Sequence, residues 1–359
     1  MAKDLKMKLS IIIVAYNEEK AIAKCLQSIK KQIAKRKDIE IIVIDDNSTD
    51  NTAKIVKNCG VKVFSFHKNK GISICRNTGV KKTKGKYLIF FDAHIYLKGK
   101  NIFKTLEEHF EKNPKIAGIS GFYETWQKKD FNFTRDLVRE TFRKKRKRIL
   151  PISFTDFTTF SSCIGAIRRK AFKIYSFPQD YKDGANEDTL FQLILMNKNK
   201  KFLHLGSIQC WHDAELSFKE LIKKLFYQAR GFNNLLYSLS DLNLEKIPFS
   251  AFFLDFPLSF LLLPFFILLS CIANKFLLLT WFVFFGIDFY KTLKVFKTKN
   301  YSLRQKIISV FYIIFNEFTK AIYFPYYLIK KKYNLQKVFY VLKLFVFWES
   351  FKINPKKKC

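Results

Sequence analysis

The chain has 359 residues, of which 48% are hydrophobic, and carries a formal net charge of +35 at pH 7. This length suggests two domains, or one domain with an appendage. Three interpretations fit the charge: nucleic-acid binding, association with an anionic membrane surface, or lysines spread over solvated faces without a partner. The sequence has no zinc finger, RNP motif, basic zipper or obvious helix-turn-helix pattern, so we expect no nucleic-acid partner.

The seven cysteines are scattered along the chain, and none forms a C-x-x-C pair. This pattern argues against a disulfide framework or a structural zinc site and favours a reducing compartment. The N-terminal stretch MAKDLKMKLS leads directly into a strand-like segment without the apolar core of a signal peptide. We therefore expect the N-terminal domain to lie in the cytoplasm.

Short apolar runs alternate with helical patterns in the first part of the chain. Leu9–Ala15 is rich in β-branched residues and too short for a helix, which is typical of a strand buried on both faces. Similar runs follow at 39–44, 61–66 and 86–91, with helical patterns at 21–29, 52–60 and 73–83 between them. Alternating strands and helices predict an α/β domain with a mainly parallel, Rossmann-like sheet.

Polar side chains gather where three of these strands end. The three turns are Tyr16-Asn17-Glu18, Asp45 to Asp50 and Asp92-Ala93-His94. Because parallel α/β sheets bind ligands at the carboxyl ends of their strands, these turns predict a functional site. In an extended chain, residues i and i+2 point to the same side, so Asp92 and His94 are able to face one ion.

From residue 249 the composition becomes strongly apolar. A membrane span needs about 20 apolar residues, a length that Phe249–Ala273 supplies, whereas Phe276–Tyr290 is shorter. The alternative is a buried helical hairpin in a soluble core. Ile307–Ile329 is aromatic-rich and interrupted by charges, which fits a helix lying on the membrane interface or a third span. We predict two domains, 1–240 and 241–359, of which the second holds membrane-associated helices and a basic tail.

Four motifs resemble those of the family 2 glycosyltransferases: SIIIVAYNEEKAIAKCLQSI, IEIIVIDDNSTDNTAKIV, NKGISICRNTGVKKTKGKYLIFFDA and NEDTLFQL. They occur in the family's order, and the resemblance covers roughly Lys8 to Phe232. The family consists of inverting enzymes with the GT-A fold that use nucleotide-sugar donors. The resemblance implies the same α/β fold and the same donor class. A hydrophobic C-terminal region is common among members that modify lipid-linked acceptors.

The resemblance also implies which residues hold the donor. The turn after the first strand would approach the nucleobase and ribose. Asp46 would accept a hydrogen bond from the base, typically uracil, because a charged acceptor strengthens such a bond. Arg76 matches the arginine of the family's RN-x-G motif and would lie near the base and diphosphate, with the turn Asn69-Lys70-Gly71. The expected donor-binding residues are Ala15, Tyr16, Asn17, Glu18, Asp46, Gly71, Arg76 and Asp92. We interpret their neighbours as turn and helix-cap residues: Asp45, Ser48 and Asp50.

The turn Asp92-Ala93-His94 occupies the place of the family's D-x-D motif, whose carboxylates hold Mg²⁺ or Mn²⁺ against the donor diphosphate. His94 departs from that motif, but D-x-H occurs in related GT-A transferases, and imidazole shifts the preference from Mg²⁺ toward Mn²⁺. His212 follows a later strand, where GT-A enzymes often supply a further metal or diphosphate contact, and Asp213 is the competing candidate. The expected metal ligands are therefore Asp92, His94 and His212, with Mn²⁺ or Mg²⁺ as the cofactor.

Glu187-Asp188 matches the family's E-D motif at the start of a helical pattern. Asp188 is the expected general base of the inverting displacement, and Glu187 would orient the acceptor or Asp188. Capping of the helix N-terminus is the structural alternative for both acids. Processive synthases carry Q-x-x-R-W after the base, whereas this chain has QARGF at Gln228–Phe232. That difference favours a transferase that adds one sugar or a few.

The predicted function is a membrane-anchored, metal-dependent glycosyltransferase at the cell membrane, with its catalytic domain facing the cytoplasm. The donor would be a nucleotide-sugar, in particular a UDP-sugar, and the acceptor lipid-linked or part of a cell-surface glycan. A processive polysaccharide synthase and a non-catalytic nucleotide-binding scaffold of a glycan-assembly complex are the alternatives. The basic run Arg143–Arg148 fits a solvated loop as well as contact with anionic lipid or a polyprenyl-phosphate acceptor.

Overall fold

The computed structural model describes residues 7–33, 36–125, 148–150, 160–179, 181, 185–213, 217–240, 295–297, 302–312, 315 and 319. The basic run Arg143–Arg148 lies outside these residues except for Arg148. The two expected membrane segments, Phe249–Ala273 and Phe276–Tyr290, lie outside them entirely.

The first four strands alternate with three helices, as the apolar runs predict. The strand β1 is buried along nearly its whole length. Helix α1 buries Ile22, Cys25, Leu26 and Ile29, the i, i+3, i+4, i+7 spacing of one helix face. The strand and helix predictions for this part of the chain are confirmed. The elements are β1 (Leu9–Ala15), α1 (Ile22–Ile33), β2 (Ile39–Asp45), α2 (Thr52–Asn58), β3 (Lys62–Ser65), α3 (Ile72–Lys81) and β4 (Tyr87–Asp92).

The second half of the domain contains five further strands and four further helices among the described residues. Helix α6 begins at Glu187, where the E-D motif predicts a helix start, and the long strand β9 ends at His212. The elements are β5 (Ile95–Lys98), α4 (Ile102–Lys112), β6 (Ile116–Thr125), β7 (Arg148–Leu150), β8 (Ile164–Arg168), α5 (Arg169–Phe172), α6 (Glu187–Asn197), β9 (Lys201–His212) and α7 (Phe218–Ser240).

The strands form one mixed sheet in the order β3-β2-β1-β4-β8-β6-β9-β5, with β7 also paired to β9. The first four strands pair in parallel, and so do β6 and β9. In contrast, β8 is antiparallel to β4 and β6, and β9 is antiparallel to β5 and β7. The prediction of a mainly parallel sheet is therefore wrong. Parallel neighbours need a crossover, usually a helix, and the strand–helix alternation ends at β4, which β5 follows without a helix.

Both faces of the sheet are covered. Along β1, Ile11 and Ile13 lie in the core that includes residues of α1 and α4. Ile12 lies in the opposite core, together with Val80 of α3 and Phe191 of α6. Successive side chains of a strand point to opposite faces, so a strand covered on both sides is apolar throughout. This explains the unbroken apolar run of β1.

The polar turns meet at one edge of the sheet because β1, β2 and β4 end in register. Ala15 pairs with Asp45, and Val14 pairs with Asp92. The antiparallel pairing of β5 with β9 places Ile95 opposite His212. The end of β9 therefore joins the same edge.

A helix at residues 303–312 follows the GT-A-like domain in the described chain. Tyr312 and Phe315 pack against Leu221 and Leu225 of α7. The expected interfacial helix Ile307–Ile329 is described only at 307–312, 315 and 319. Among the helices that the structure describes, none combines the length and apolar composition that crossing a membrane requires.

Gly79 allows α3 to lie directly on β1, because a Cβ at this position would overlap Cγ2 of Ile12. Alanine in place of a helical glycine normally gains about 1 kcal/mol of helix propensity. We predict instead that Gly79→Ala lowers the free energy of unfolding by about 1–3 kcal/mol, since the overlap is with a buried strand. Urea denaturation measures the change. Lys81→Ala, at an exposed position of α3, is the control. Its free energy of unfolding should stay within about 0.5 kcal/mol of the wild-type value. A stabilising Gly79→Ala would contradict the close packing.

Candidate active site

The turns after β1 and β2 are held together by hydrogen bonds. The N–H of Asn17 donates to Oγ of Ser48 at 2.9 Å, and the N–H of Thr49 donates to Oδ1 of Asn17 at 2.8 Å. Asn17 has a φ of 54°, in the left-handed region that asparagine tolerates. The side chain of Tyr16 is 49% exposed. The expected donor-binding turn, Ala15 to Glu18, thus combines a fixed backbone with an accessible aromatic ring.

In the turn after β2, the carboxylates of Asp45 and Asp50 accept hydrogen bonds from backbone N–H groups. Oδ1 of Asp50 accepts a hydrogen bond from the N–H of Thr52 at 2.9 Å, and Oδ2 accepts one from the N–H of Glu19 at 3.1 Å. Oδ1 of Asp45 accepts one from the N–H of Ser48 at 3.2 Å. These contacts agree with the interpretation of Asp45, Ser48 and Asp50 as turn and cap residues.

Asp46 is buried, and its carboxylate holds the turn before α3. Its Oδ1 accepts from the N–H of Lys70 at 2.6 Å, and its Oδ2 accepts from the N–H of Gly71 at 2.9 Å. Gly71 has a φ of 88°, which residues with a side chain rarely adopt. Two expected donor-binding residues, Asp46 and Gly71, therefore lie in contact. The contact of Asp46 with a nucleobase stays a prediction.

Arg76 lies buried between two carboxylates, with 3% of its surface exposed. Its Nη1 is 2.5 Å from Oε1 of Glu187, and its Nη2 is 3.4 Å from Oδ1 of Asp92. The guanidinium carbon also lies 5.4 Å from the ring centroid of Phe177. An unpaired charge in such an interior is strongly unfavourable, so the buried Arg76 depends on its carboxylate partners. Arg76 thus joins the D-x-H turn to the E-D motif.

The E-D motif opens α6 directly after Asn186, which has a left-handed φ of 75°. Oδ2 of Asp188 accepts hydrogen bonds from the N–H of Ser162 at 3.1 Å and from its Oγ at 3.0 Å. Oδ1 accepts one from the N–H of Thr189 at 2.8 Å. The carboxylate is therefore fixed in orientation. Ser162 belongs to none of the motifs, and no signal in the sequence predicts its contact.

Burial raises the pKa of Glu187 to about 7, and the negative charge of Asp188 adds to the rise, while Arg76 opposes it. The charges of Glu187 and Asp188 also act on Tyr227 of α7. Burial and these negative charges raise the pKa of Tyr227, so its hydroxyl stays protonated. Helix α7 thus brings a tyrosine near the E-D motif, a contribution that the sequence does not predict.

Asp92, His94 and His212 each bring one potential ligand atom to within 4.8 Å of the others. The Nε2 atoms of His94 and His212 are 3.0 Å apart. Two imidazole nitrogens bound at about 2.1 Å to one ion, at a right angle, lie about 3 Å apart. The pair therefore fits a shared cation. Two nitrogen donors beside one carboxylate suit Mn²⁺ better than Mg²⁺. The three expected ligands fit the expected cofactor.

Asp213, the competing candidate, is engaged elsewhere. Its Oδ2 accepts a hydrogen bond from the hydroxyl of Tyr96 at 2.8 Å, and its N–H donates to the carbonyl of His94 at 2.9 Å. Of the two neighbouring residues, His212 is the one whose side chain faces Asp92 and His94.

Glu18, expected to bind the donor, contacts His94, and its contact with a donor stays a prediction. Its Oε1 lies 2.7 Å from Nδ1 of the imidazole. Burial alone lowers the pKa of His94, but the hydrogen bond and charge of Glu18 and the charge of Asp92 outweigh it, so the pKa of His94 is raised. A cation at this site therefore competes with a proton for His94.

The fold is similar to that of solved glycosyltransferases. The mannosyltransferase PcManGT from Pyrobaculum calidifontis, solved with GDP-Man and Mn²⁺, superimposes with a TM-score of 0.56 and 14% identity over 88% of this chain and 86% of that one. Staphylococcus aureus TarS, solved with UDP-GlcNAc, superimposes with a TM-score of 0.56 and 18% identity. The superposition covers 89% of this chain and 92% of the TarS chain. These similarities show the fold: it is the α/β GT-A fold of glycosyltransferases.

Residues 10–175 match Glycosyl transferase family 2. This part of the chain is therefore similar to the family 2 glycosyltransferases. The E-D motif and His212 lie beyond the matched residues, so their place in the site rests on the geometry.

Two curated relatives illustrate the range of the family. A Methanococcus voltae protein, dolichyl N-acetyl-alpha-D-glucosaminyl phosphate 3-beta-D-2,3-diacetamido-2,3-dideoxy-beta-D-glucuronosyltransferase, is 33% identical over 123 residues, 32% of this chain and 38% of that protein. Poly(ribitol-phosphate) beta-N-acetylglucosaminyltransferase TarS of Staphylococcus aureus is 34% identical over 125 residues, 32% of this chain and 22% of that protein. The matches thus span well under half of either relative.

We predict that Arg76→Met lowers the free energy of unfolding by about 3–5 kcal/mol, because it leaves Glu187 and Asp92 without their buried partner. Urea denaturation of the single variant measures this loss. Arg76→Met combined with Glu187→Gln removes the cation together with one of the carboxylates that it would leave unpaired. Part of the lost free energy of unfolding should therefore be recovered. Equal destabilisation in the single and double variants would show that the pairing is not what Arg76 contributes.

Glu187 makes stability depend on pH. An acid whose pKa is higher in the folded than in the unfolded chain binds more protons when folded, so its contribution to stability falls as pH rises. For Glu187 this decline spans the interval from its ordinary pKa of 4.5 to about 7. We predict that Glu187→Gln removes the decline, which thermal unfolding of both proteins across that interval measures. Glu108→Gln, on the exposed side of α4, is the control for the loss of one charge. Parallel pH profiles for wild type and Glu187→Gln would contradict the raised pKa.

Proposed function

We propose that the chain is an inverting glycosyltransferase that moves a sugar from a nucleoside diphosphate-sugar to a hydroxyl group of a lipid-linked or cell-surface glycan. One observation carries the proposal. The buried Arg76 joins Glu187, next to the expected base, to Asp92 of the cation cluster. The groups that such a transfer needs for the acceptor and for the leaving group therefore lie close together.

Asp188 serves as the general base. It takes the proton of the acceptor hydroxyl while that oxygen forms a bond to the anomeric carbon, from the face opposite the nucleotide. The bond from the anomeric carbon to the diphosphate oxygen breaks, and the nucleoside diphosphate leaves with the electron pair. An ionised carboxylate has about four lone-pair sites. Three of them accept hydrogen bonds from Ser162 and Thr189, two at Oδ2 and one at Oδ1. Among the described residues no further donor binds Oδ1, and the site that remains there is the one proposed for the acceptor proton.

The cluster of Asp92, His94 and His212 would hold the divalent cation, Mn²⁺ in preference to Mg²⁺. When bound, this cation acts as a Lewis acid that stabilises the charge developing on the diphosphate. The presence of Mn²⁺ in the structure of PcManGT supports this assignment. Arg76 positions Asp92 through the ion pair between them.

The donor would lie on the turn Ala15 to Glu18 and beside Asp46 and Gly71. The exposed ring of Tyr16 is available to contact the base. A uracil nucleotide is supported by TarS, which was solved with UDP and with UDP-GlcNAc. PcManGT was solved with GDP-Man, so a guanine nucleotide is the alternative that a donor panel distinguishes.

The proposed membrane attachment is supported by the sequence and by one exposed helix face. Leu303, Ile307 and Phe311 are 65%, 41% and 67% exposed, and their spacing of four residues places them on one side of the helix. An apolar stripe in a chain of net charge +35 fits binding to an anionic membrane surface. Together with the apolar segment Phe249–Tyr290, it supports a cell-membrane enzyme whose GT-A domain faces the cytoplasm.

A nucleotide-sugar panel tests the proposal. The detergent-solubilised full chain is incubated with UDP-, GDP- and dTDP-sugars in Mn²⁺, Mg²⁺ or EDTA, and released nucleotide is measured. We expect metal-dependent release from one donor. Asp188→Asn should lower turnover by about 10²–10⁴-fold while donor binding is kept, and Asp92→Ala should abolish the metal-dependent release. Glu108→Gln, which removes an exposed carboxylate of α4 outside the four motifs, should behave as the wild type.

The outcomes separate the proposal from its alternatives. Equal turnover by Asp188→Asn and the wild type would contradict the general base. A chain that neither binds nor turns over any donor with Mn²⁺ would favour the non-catalytic scaffold. Long polymeric products would favour the processive synthase.

A further inference from the structure

Glu18 contacts one of the cluster residues without belonging to the cluster. Its Oε1 lies 2.7 Å from Nδ1 of His94, while Nε2 on the other side of that ring lies 3.0 Å from Nε2 of His212. Glu18 itself does not belong to the set of residues whose ligand atoms converge. The carboxylate therefore acts on the cluster through His94.

The position of Glu18 is set by the turns after β1 and β2. Its N–H donates to Oγ1 of Thr52 at 2.7 Å. The preceding residue, Asn17, is bound to Ser48. A carboxylate on a backbone held in this way is able to fix the ring it contacts, because its own freedom is already reduced.

The contact decides which nitrogen of His94 carries the proton. An ionised carboxylate only accepts hydrogen bonds, so Nδ1 must be the donor. In the neutral imidazole the other nitrogen then has a free lone pair. This nitrogen is Nε2, which faces His212 and the cluster. A cation needs the lone pair at that atom.

We propose that Glu18 is a positioning residue that keeps the proton of His94 on Nδ1 and aims Nε2 at the cation. The inference rests on the proposed function, since it assumes that the cluster binds a divalent cation. It changes the assignment of Glu18 from a donor contact to a support of the metal ligand. Carboxylates behind metal-binding histidines fix the ring and raise the basicity of the ligand.

Direct Mn²⁺ binding to the metal-free full chain tests the inference. Free Mn²⁺ is followed by its electron paramagnetic resonance signal, with no sugar donor present. Glu18→Gln keeps the size of the side chain, but its amide is able to donate as well as accept and no longer imposes one tautomer. We expect the Mn²⁺ affinity to fall by about 10–100-fold.

Glu19→Gln is the matched control. It removes the same charge one residue along the chain, where Glu19 accepts hydrogen bonds from Asn51 at 3.1 Å. This variant should bind Mn²⁺ as the wild type does. An equal loss in both variants would mean that only the local negative charge matters, which would overturn the positioning role.

A second readout does not depend on the metal. The chain has five histidines, and ¹⁵N-histidine labelling, with His94→Gln to assign the signal, reports which nitrogen is protonated. At a pH where His94 is neutral, we expect the proton on Nδ1 in the wild type and a mixture in Glu18→Gln. A proton on Nε2 in the wild type would overturn the inference.

The outcomes distinguish this inference from the proposed function. Wild-type Mn²⁺ binding that survives in Glu18→Gln and is lost in Asp92→Ala overturns the role of Glu18 alone. A wild-type chain that binds no Mn²⁺ overturns both the role of Glu18 and the metal site.

Discussion

The site depends on one buried guanidinium held between two carboxylates. Arg76 comes from α3, Asp92 from the end of β4, and Glu187 from the start of α6. The charges of Arg76 and Glu187, whose side chains are both nearly fully buried, would be strongly unfavourable in that interior without each other. Ion pairs thus connect the parallel half of the sheet to the part of the chain that carries the E-D motif. A movement that separated the two sides would break a buried ion pair, so the arrangement favours a rigid site.

The first half of the fold could be predicted because its signals are local. The strand β1 is covered on both faces, which produces an apolar run of limited length, and α1 carries an apolar face of regular period. The second half lacks such signals. The strands β7 and β8 are short, and β6 pairs with β9 across two irregularities in register. Packing across the sheet decides which strands pair in this half. The local hydrophobic period of the sequence does not predict that pairing.

The candidate site, like the fold, has residues that local sequence signals predict and contacts that they do not predict. Motif and spacing predict Asp92, His94 and Asp188, and the position after a strand predicts His212; the structure brings Asp92, His94 and His212 together. The contact of Ser162 with Asp188 and that of Glu18 with His94 join residues 26 and 76 positions apart. Such contacts depend on where each side chain points in the folded domain. The sequence therefore predicts the turn that holds Glu18 but not its contact with His94.

The strand pairing at the far end of the sheet has a consequence for folding. His212 lies 118 positions after His94 and reaches it because β9 pairs with β5, with Ile95 opposite His212. A slip of one residue in that ladder would turn His212 to the other face of the sheet. The three ligands therefore come together only after β9 has joined the sheet in its correct register. A cation that binds all three favours the completed domain over partly assembled chains by mass action. The affinity of the chain for this cation therefore measures whether the whole sheet has assembled. A fragment ending at residue 175 lacks β9 and His212, so it could not give this measurement.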